Sequence, residues 1–170
     1  MSKLITCIWF AQNNVEEAVN YYLDTFNKAP GDHKTKVGDI TKSPKASEEV
    51  SGIPEGSVMT AECEIDGTSF MFLNGGPMEQ FKINGGTSYI VECETQEEID
   101  YFWERLSAVS EAEQCGWCRD KFGLTWQIVP RILDEMMRDP AKAEDVTKIF
   151  LPMKKLDLEA IRKAGNKPRS

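Results

Sequence analysis

The amino-acid sequence predicts an α+β domain: two βαβββ modules forming a curved mixed sheet with a concave cavity, followed by C-terminal helices. Three observations predict it. Two strand-like stretches, Leu4 to Phe10 and Thr87 to Cys93, each run into a helix-start signal. A period-two run over Met59, Ala61, Cys63 and Ile65 is followed by Asp66-Gly67, a dipeptide suited to a tight hairpin. The order strand, helix, strands then occurs a second time.

The elements follow in chain order. Asn14 reads as an N-cap with Glu17 as its capping-box partner, and Val15, Ala18, Val19, Tyr22 and Phe26 form one apolar stripe. Pro30 and Gly31 end that helix. Asp39 to Glu55, rich in Lys, Ser, Glu, Gly and Pro, reads as a mobile surface loop. Thr68 to Leu73 returns from the hairpin as a partner strand. Asn74 to Gly86, with two Asn-Gly-Gly triplets, is the natural linker. In the second half Thr95 caps a helix with Glu98 at the box position, and Ile99, Phe102, Trp103 and Leu106 give its stripe. Cys115 to Asp120 and Thr125 to Val129 make a final hairpin around Phe122-Gly123. After Pro130 come one amphipathic helix (Ile132, Leu133, Met136, Met137) and another over Val146 to Met153. Residues 1–155 are read as one domain, with module one at 1–76, module two at 86–130, C-terminal helices over 131–164 and a flexible tail at 165–170.

Composition narrows the function. The net charge of −8 argues against a nucleic-acid partner, because phosphate binding needs a basic surface. From Leu151 onward the balance is +4 and before it −12, which suits a basic helical tail docked on an acidic body. No apolar run approaches a membrane span, and no signal peptide opens the chain, so the expected compartment is the cytoplasm. An odd number of cysteines does not make a disulfide framework, and Cys7, Cys63 and Cys93 read as small hydrophobes among strand residues.

Several stretches resemble one family: Ile8-Trp9-Phe10, Glu16-Glu17-Ala18, Leu73-Asn74-Gly75-Gly76-Pro77, Cys115-Gly116-Trp117, Asp120-Lys121-Phe122-Gly123 and Trp126-Gln127-Ile128-Val129-Pro130. The chain resembles the vicinal oxygen chelate superfamily (glyoxalase, bleomycin resistance, dioxygenase) and, within it, PhnB-like proteins often labelled 3-demethylubiquinone-9 3-methyltransferase. The label implies S-adenosylmethionine, but the sequence contains no Gly-x-Gly turn to hold it. The superfamily's metal enzymes place His or Glu at four equivalent strand positions. Aligning the two halves puts Thr6, Met71, Ser88 and Gln127 at those positions, and such side chains offer a cation no charge compensation. The resemblance therefore implies a chelate fold with no metal and no cofactor.

His33 lies in a polar segment and reads as a surface histidine. Cys115-Gly116-Trp117-Cys118 spells C-x-x-C but sits on a strand, not at a helix N-terminus that would activate a thiol. Glu62 and Glu64 share a strand with alternating burial. Glu92 is the weak candidate for acid–base catalysis, because its strand otherwise reads as buried. Trp9, Trp103 and Trp126 read as core. The expected function is binding of a small organic molecule, with Thr6, Met71, Ser88 and Gln127 at the floor and Asn74, Gly75, Gly76 and Trp117 at the rim. The alternative is an enzyme of the superfamily, either a metal-dependent isomerase or dioxygenase or the methyltransferase of the label. The apolar surplus on the C-terminal helices predicts a homodimer with those helices at the interface.

Overall fold

Asp66 and Gly67 both take positive φ (47° and 79°), which gives a two-residue turn whose twist matches the flanking strands. They join β3 (Val58–Ile65) to β4 (Thr68–Asn74), paired antiparallel from Ile65 with Thr68 onward. This hairpin centres the first of two mixed sheets in a computed structural model that describes residues 4–166. The chain divides into two compact units, Met1–Ile83 and Asn84–Ser170. The divide falls inside the expected linker, although Asn74 belongs to β4 and Glu79–Phe81 form a short 3₁₀ turn.

In the first unit β1 (Thr6–Phe10) runs parallel to β4, and the strand order is β1-β4-β3-β2. Helix α1 (Val15–Asn27) buries all five residues of its expected stripe, plus Thr25. Tyr22 stacks on Phe72 at 5.6 Å and Phe10 meets Phe72 edge-on at 5.5 Å. Each such buried side chain contributes roughly 1.5–3 kcal/mol.

The expected mobile loop at Asp39 to Glu55 is structured. Its start belongs to β2 (Thr35–Lys42), and Lys45–Ser51 forms helix α2. Every β2 residue except Thr35 is exposed, so the strand carries no hydrophobic alternation to betray it. Gly52, at φ 70°, closes α2, and paired backbone bonds of Ser43 with Ser57 and Gly56 return the chain to β3.

The second unit forms β5 (Ser88–Cys93), α3 (Gln96–Leu106), β6 (Trp117–Arg119) and β7 (Thr125–Pro130), with strand order β5-β7-β6. Among the described residues it is a βαββ unit of three strands, not the expected βαβββ. The stretch between α3 and β6 is occupied by a 3₁₀ turn at Ser110–Ala112 and a single bridge from Gln114 to Trp117, too short for a further strand and its return. The expected box on α3 is present: Thr95 Oγ1 accepts from Glu98 N–H, and the Glu98 carboxylate accepts from Thr95 N–H. Leu106, Phe102 and Ile99 are buried, whereas Trp103 is half-buried.

Three helices complete this unit: α4 (Arg131–Arg138), α5 (Pro140–Phe150) and α6 (Leu158–Gly165). Asp139 and Asp157 cap the last two. Met136, Val146, Leu156, Ile161 and Ala164 form a small core of their own, and Ile132, Leu133, Ile149, Phe150 and Met153 pack against it. Most of the apolar surface expected to seek a partner is therefore covered within the unit, leaving Met137 and Leu151 exposed. Of the expected flexible tail, Gly165 ends α6, and residues 167–170 lie outside the described residues.

Candidate functional site

In each sheet α1 or α3 covers one face, and alternation along the strands decides which residues the opposite face presents; in the second unit Val129, at one end of that opposite face, packs against the core of the C-terminal helices. In the second unit Tyr89, Val91 and Cys93 point one way with Trp126, Ile128 and Cys118, on the side of α3. Ser88, Ile90 and Glu92 point the other way with Thr125, Gln127 and Val129, together with Trp117 and Arg119. The register sets these in rows across three strands. Ser88, Thr125 and Arg119 form one row, and Ile90, Gln127 and Trp117 form the next. Gln127 Nε2 donates to Ser88 Oγ at 2.8 Å. Ile90 is 60% exposed, and Trp117 is half-buried. Three of the expected contacts, Ser88, Gln127 and Trp117, are thus brought together on this face.

Glu92 lies on it too, but the burial that recommended it is absent. It is exposed, at the rim, 3.7 Å from the Arg131 guanidinium. Arg119 and Thr125 stand on this face as well, though neither was expected at the site. The signal was available: Arg119 stands two residues after Trp117 on a strand, so it must share that side chain's face.

In the first unit the helix-free face carries Cys7, Met71 and Glu62 in one row and Trp9, Leu73 and Thr60 in the next. Thr6 is not among them. It pairs with Phe70, so it lies on the helix side, one step from the expected position. The alignment of the halves was one residue out in the first strand, and a slip of one exchanges the faces. Buried Ile8 and Phe10 correspond to buried Val91 and Cys93, which makes Ile5 the counterpart of Ser88. Ile5 helps line a hollow of about 130 Å³ with Lys36, Glu62, Glu64 and Ser69.

The Asn74-Gly75-Gly76 rim is built for the fold. Asn74 is buried, and its side chain is fully engaged: Oδ1 accepts from Val15 N–H at 3.3 Å, while Nδ2 donates to Val58 O at 2.8 Å and Asn13 Oδ1 at 3.0 Å. It caps α1 in place of Asn14, whose own Oδ1 is buried with no partner. Gly75 admits the Trp9 indole, which a Cβ there would meet at 2.2 Å. Trp9 Nε1 donates to Gly76 O at 2.9 Å, and its ring, half-buried and not core, stacks on Phe81 at 4.5 Å. Gly75 and Gly76 do border a cleft of about 460 Å³ with Asn13, Val50 and Ser51. The Ser51 hydroxyl on its wall is already used, since Oγ donates to Ser47 O and accepts from Ile53 N–H.

Most of the remaining reactive groups are buried or bonded within the fold. Cys63 and Cys93 are buried as expected, with burial pushing their thiols up to about 11 and about 12, whereas Cys7 is exposed. In the C-x-x-C stretch Cys118 is buried and pushed up to about 12, by burial first and then by the Asp120 and Glu113 carboxylates. Asp120 itself holds the β6–β7 turn. Its carboxylate accepts from Phe122 and Leu124 N–H and from Trp126 Nε1 at 2.8 Å. His33 is bonded to Asp66 at 2.7 Å beside the first hairpin. Among the described residues no three His, Cys, Asp or Glu side chains gather in a metal-holding group. None of the described helices is long and apolar enough to cross a membrane.

Comparison with known proteins places the chain in a family. A family model described as 3-demethylubiquinone-9 3-methyltransferase matches residues 2–129. A PhnB protein from Bacillus cereus carrying the same methyltransferase description is 25% identical, covers 75% of this chain and 99% of its own, and superposes with a TM-score of 0.57. A Pseudomonas aeruginosa protein is 14% identical over 76% of this chain and 98% of its own, with a TM-score of 0.49. An Arabidopsis thaliana gene product is 13% identical over 76% and 97%, with a TM-score of 0.46. No curated protein matches the chain.

Proposed function

We propose that this chain, which belongs to the 3-demethylubiquinone-9 3-methyltransferase family, is a protein of the vicinal oxygen chelate type that binds a small organic molecule without a metal, on the face of its second sheet opposite α3. One observation carries the reading: the 2.8 Å Gln127–Ser88 bond lies next to the strongly exposed Ile90 and to Trp117. An exposed isoleucine beside an ordered amide–hydroxyl pair gives apolar area and fixed polar contacts together, which is what an organic ligand needs.

The donor set speaks against a metal here. Met71, Ser88 and Gln127 offer a thioether, a hydroxyl and a neutral amide, and Thr6 lies on the other face. S-adenosylmethionine fits no better. Neither strand-to-helix turn contains glycine, Val15 N–H is taken by Asn74, and Glu98 N–H is taken by Thr95. The reading also includes a cytoplasmic homodimer.

Native mass spectrometry of protein purified without chelators tests the reading. The expected result is a complex with an organic adduct of small mass and no stoichiometric metal. About one equivalent of metal lost in Gln127→Ala, or saturable micromolar binding of S-adenosylmethionine by calorimetry, overturns it in favour of a superfamily enzyme.

A further inference from the structure

We infer that the Ser88–Thr125–Arg119 row is a carboxylate-binding site, so that the ligand of this face is an organic acid with an apolar body. The inference rests on the reading of this face as a ligand site and adds the class of ligand.

The row is a set of hydrogen-bond donors with too few acceptors. Thr125 is 7% exposed, and its Oγ1 is buried with no hydrogen-bond partner. Arg119 Nε is buried and equally unpartnered, and none of the ion pairs among the described residues includes Arg119. The two atoms come from residues directly opposite each other in register. Ser88 Oγ already accepts from Gln127, which leaves its own proton to donate. The main chain at Gly85 runs alongside: a Cβ there would lie 3.7 Å from Arg119 Nη2 and 3.9 Å from Thr125 Oγ1.

A buried guanidinium nitrogen without an acceptor is costly, and such a group persists where something else supplies the acceptor. The protein carries a net charge of −8, with acidic side chains in excess, yet none of the ion pairs found among the described residues joins one of them to this arginine. A carboxylate matches the set. It is planar, accepts two parallel bonds from one guanidinium, and keeps lone pairs for the flanking hydroxyls. One arginine balances one negative charge, which favours a monoanion over a phosphate. The neighbouring row decides the rest of the molecule. Ile90 and Trp117 flank Gln127 one step along the strands, so a body attached to the carboxylate lies across an isoleucine and an indole.

Benzoate, benzamide and inorganic phosphate serve as probes of the full-length protein labelled with ¹⁵N. The Arg119 Nε–H resonance, assigned by its loss in Arg119→Gln, is expected to shift saturably with benzoate and not with benzamide. Arg119→Gln and, independently, Thr125→Val are each expected to weaken benzoate binding about tenfold or more. Absence of any shift up to roughly 20 mM benzoate, a range that captures fragment-sized affinities, overturns the inference. So does undiminished binding by both variants, or an equal response to phosphate. Equal binding of benzamide overturns the carboxylate assignment alone and leaves metal-free binding of organic molecules standing. A stoichiometric metal on the purified protein removes that underlying reading, and the benzoate titration does not depend on it.

Discussion

Replacing Asn74 by alanine separates a staple of the fold from a ligand contact. The substitution removes three hydrogen bonds: the cap on Val15 N–H at 3.3 Å, and donations to Val58 O at 2.8 Å and Asn13 Oδ1 at 3.0 Å. Losing a cap costs about 1 kcal/mol, and each buried neutral bond about 1 kcal/mol more. The expected loss is about 3 kcal/mol, which at a slope near 2 kcal/mol/M lowers the urea midpoint by about 1.5 M. Circular dichroism through a urea titration measures it. Asn74→Asp sharpens the test, because it keeps the acceptor for Val15 but turns a carboxylate oxygen toward the Val58 carbonyl and the Asn13 side-chain oxygen. Aspartate is therefore expected to be at least as damaging as alanine at neutral pH, although an acid at a helix N-terminus is ordinarily welcome. A midpoint within about 0.25 M of wild type for alanine, or a harmless aspartate, would refute the reasoning.

The thiols supply a second test. Thiol-specific labelling near pH 8 is expected to modify Cys7 and Cys115 in the folded protein, and to reach Cys63, Cys93 and Cys118 only after unfolding. Fast labelling of a third site contradicts the described burial. The raised values of the buried thiols also fix a pH dependence. A group whose folded value exceeds its unfolded value of 9.0 gives its full stabilisation below that pH and loses it as pH rises toward about 12, so the urea midpoint is expected to fall across that alkaline window. A midpoint that stays level there sinks the assignment. For the homodimer, sedimentation at tens of micromolar is expected to give twice the 19.2 kDa chain mass. A monomer at that concentration counts against it, because specific interfaces of standard size are filled there.

Local rules carried most of the elements. The α1 stripe, the Thr95–Glu98 box and the Asp66-Gly67 turn are all short-range signals, and all three stand in the structure. What failed was long-range or unpatterned. β2 is exposed along nearly its whole length, so hydrophobic periodicity had nothing to report. The cap of α1 comes from Asn74, which no local window around Asn14 contains. For the candidate site, β4 and β7 were matched in the right register, so Met71 and Gln127 both face away from the helix that covers their sheet, and the pairing of β5, β7 and β6 brings Ser88, Gln127 and Trp117 together. β1 was matched one residue out, which carried Thr6 to the wrong side. Glu92 was misjudged because Val91 and Cys93 on either side are buried, while the alternate residue Ile90 is exposed despite being apolar.

The cap that Asn74 gives α1 bears on the order in which the two helices are completed during folding. Helix α3 closes its N-terminus with Glu98, three residues from Thr95. Helix α1 waits for a side chain 59 residues away. Its first turn is finished only when β4 has docked beside β1, so the entropy of closing that loop is paid before the cap forms. Substitutions in the α3 box should slow folding, because a local nucleus can use them. Substitutions at Asn74 should chiefly speed unfolding, because their bonds form after the main barrier.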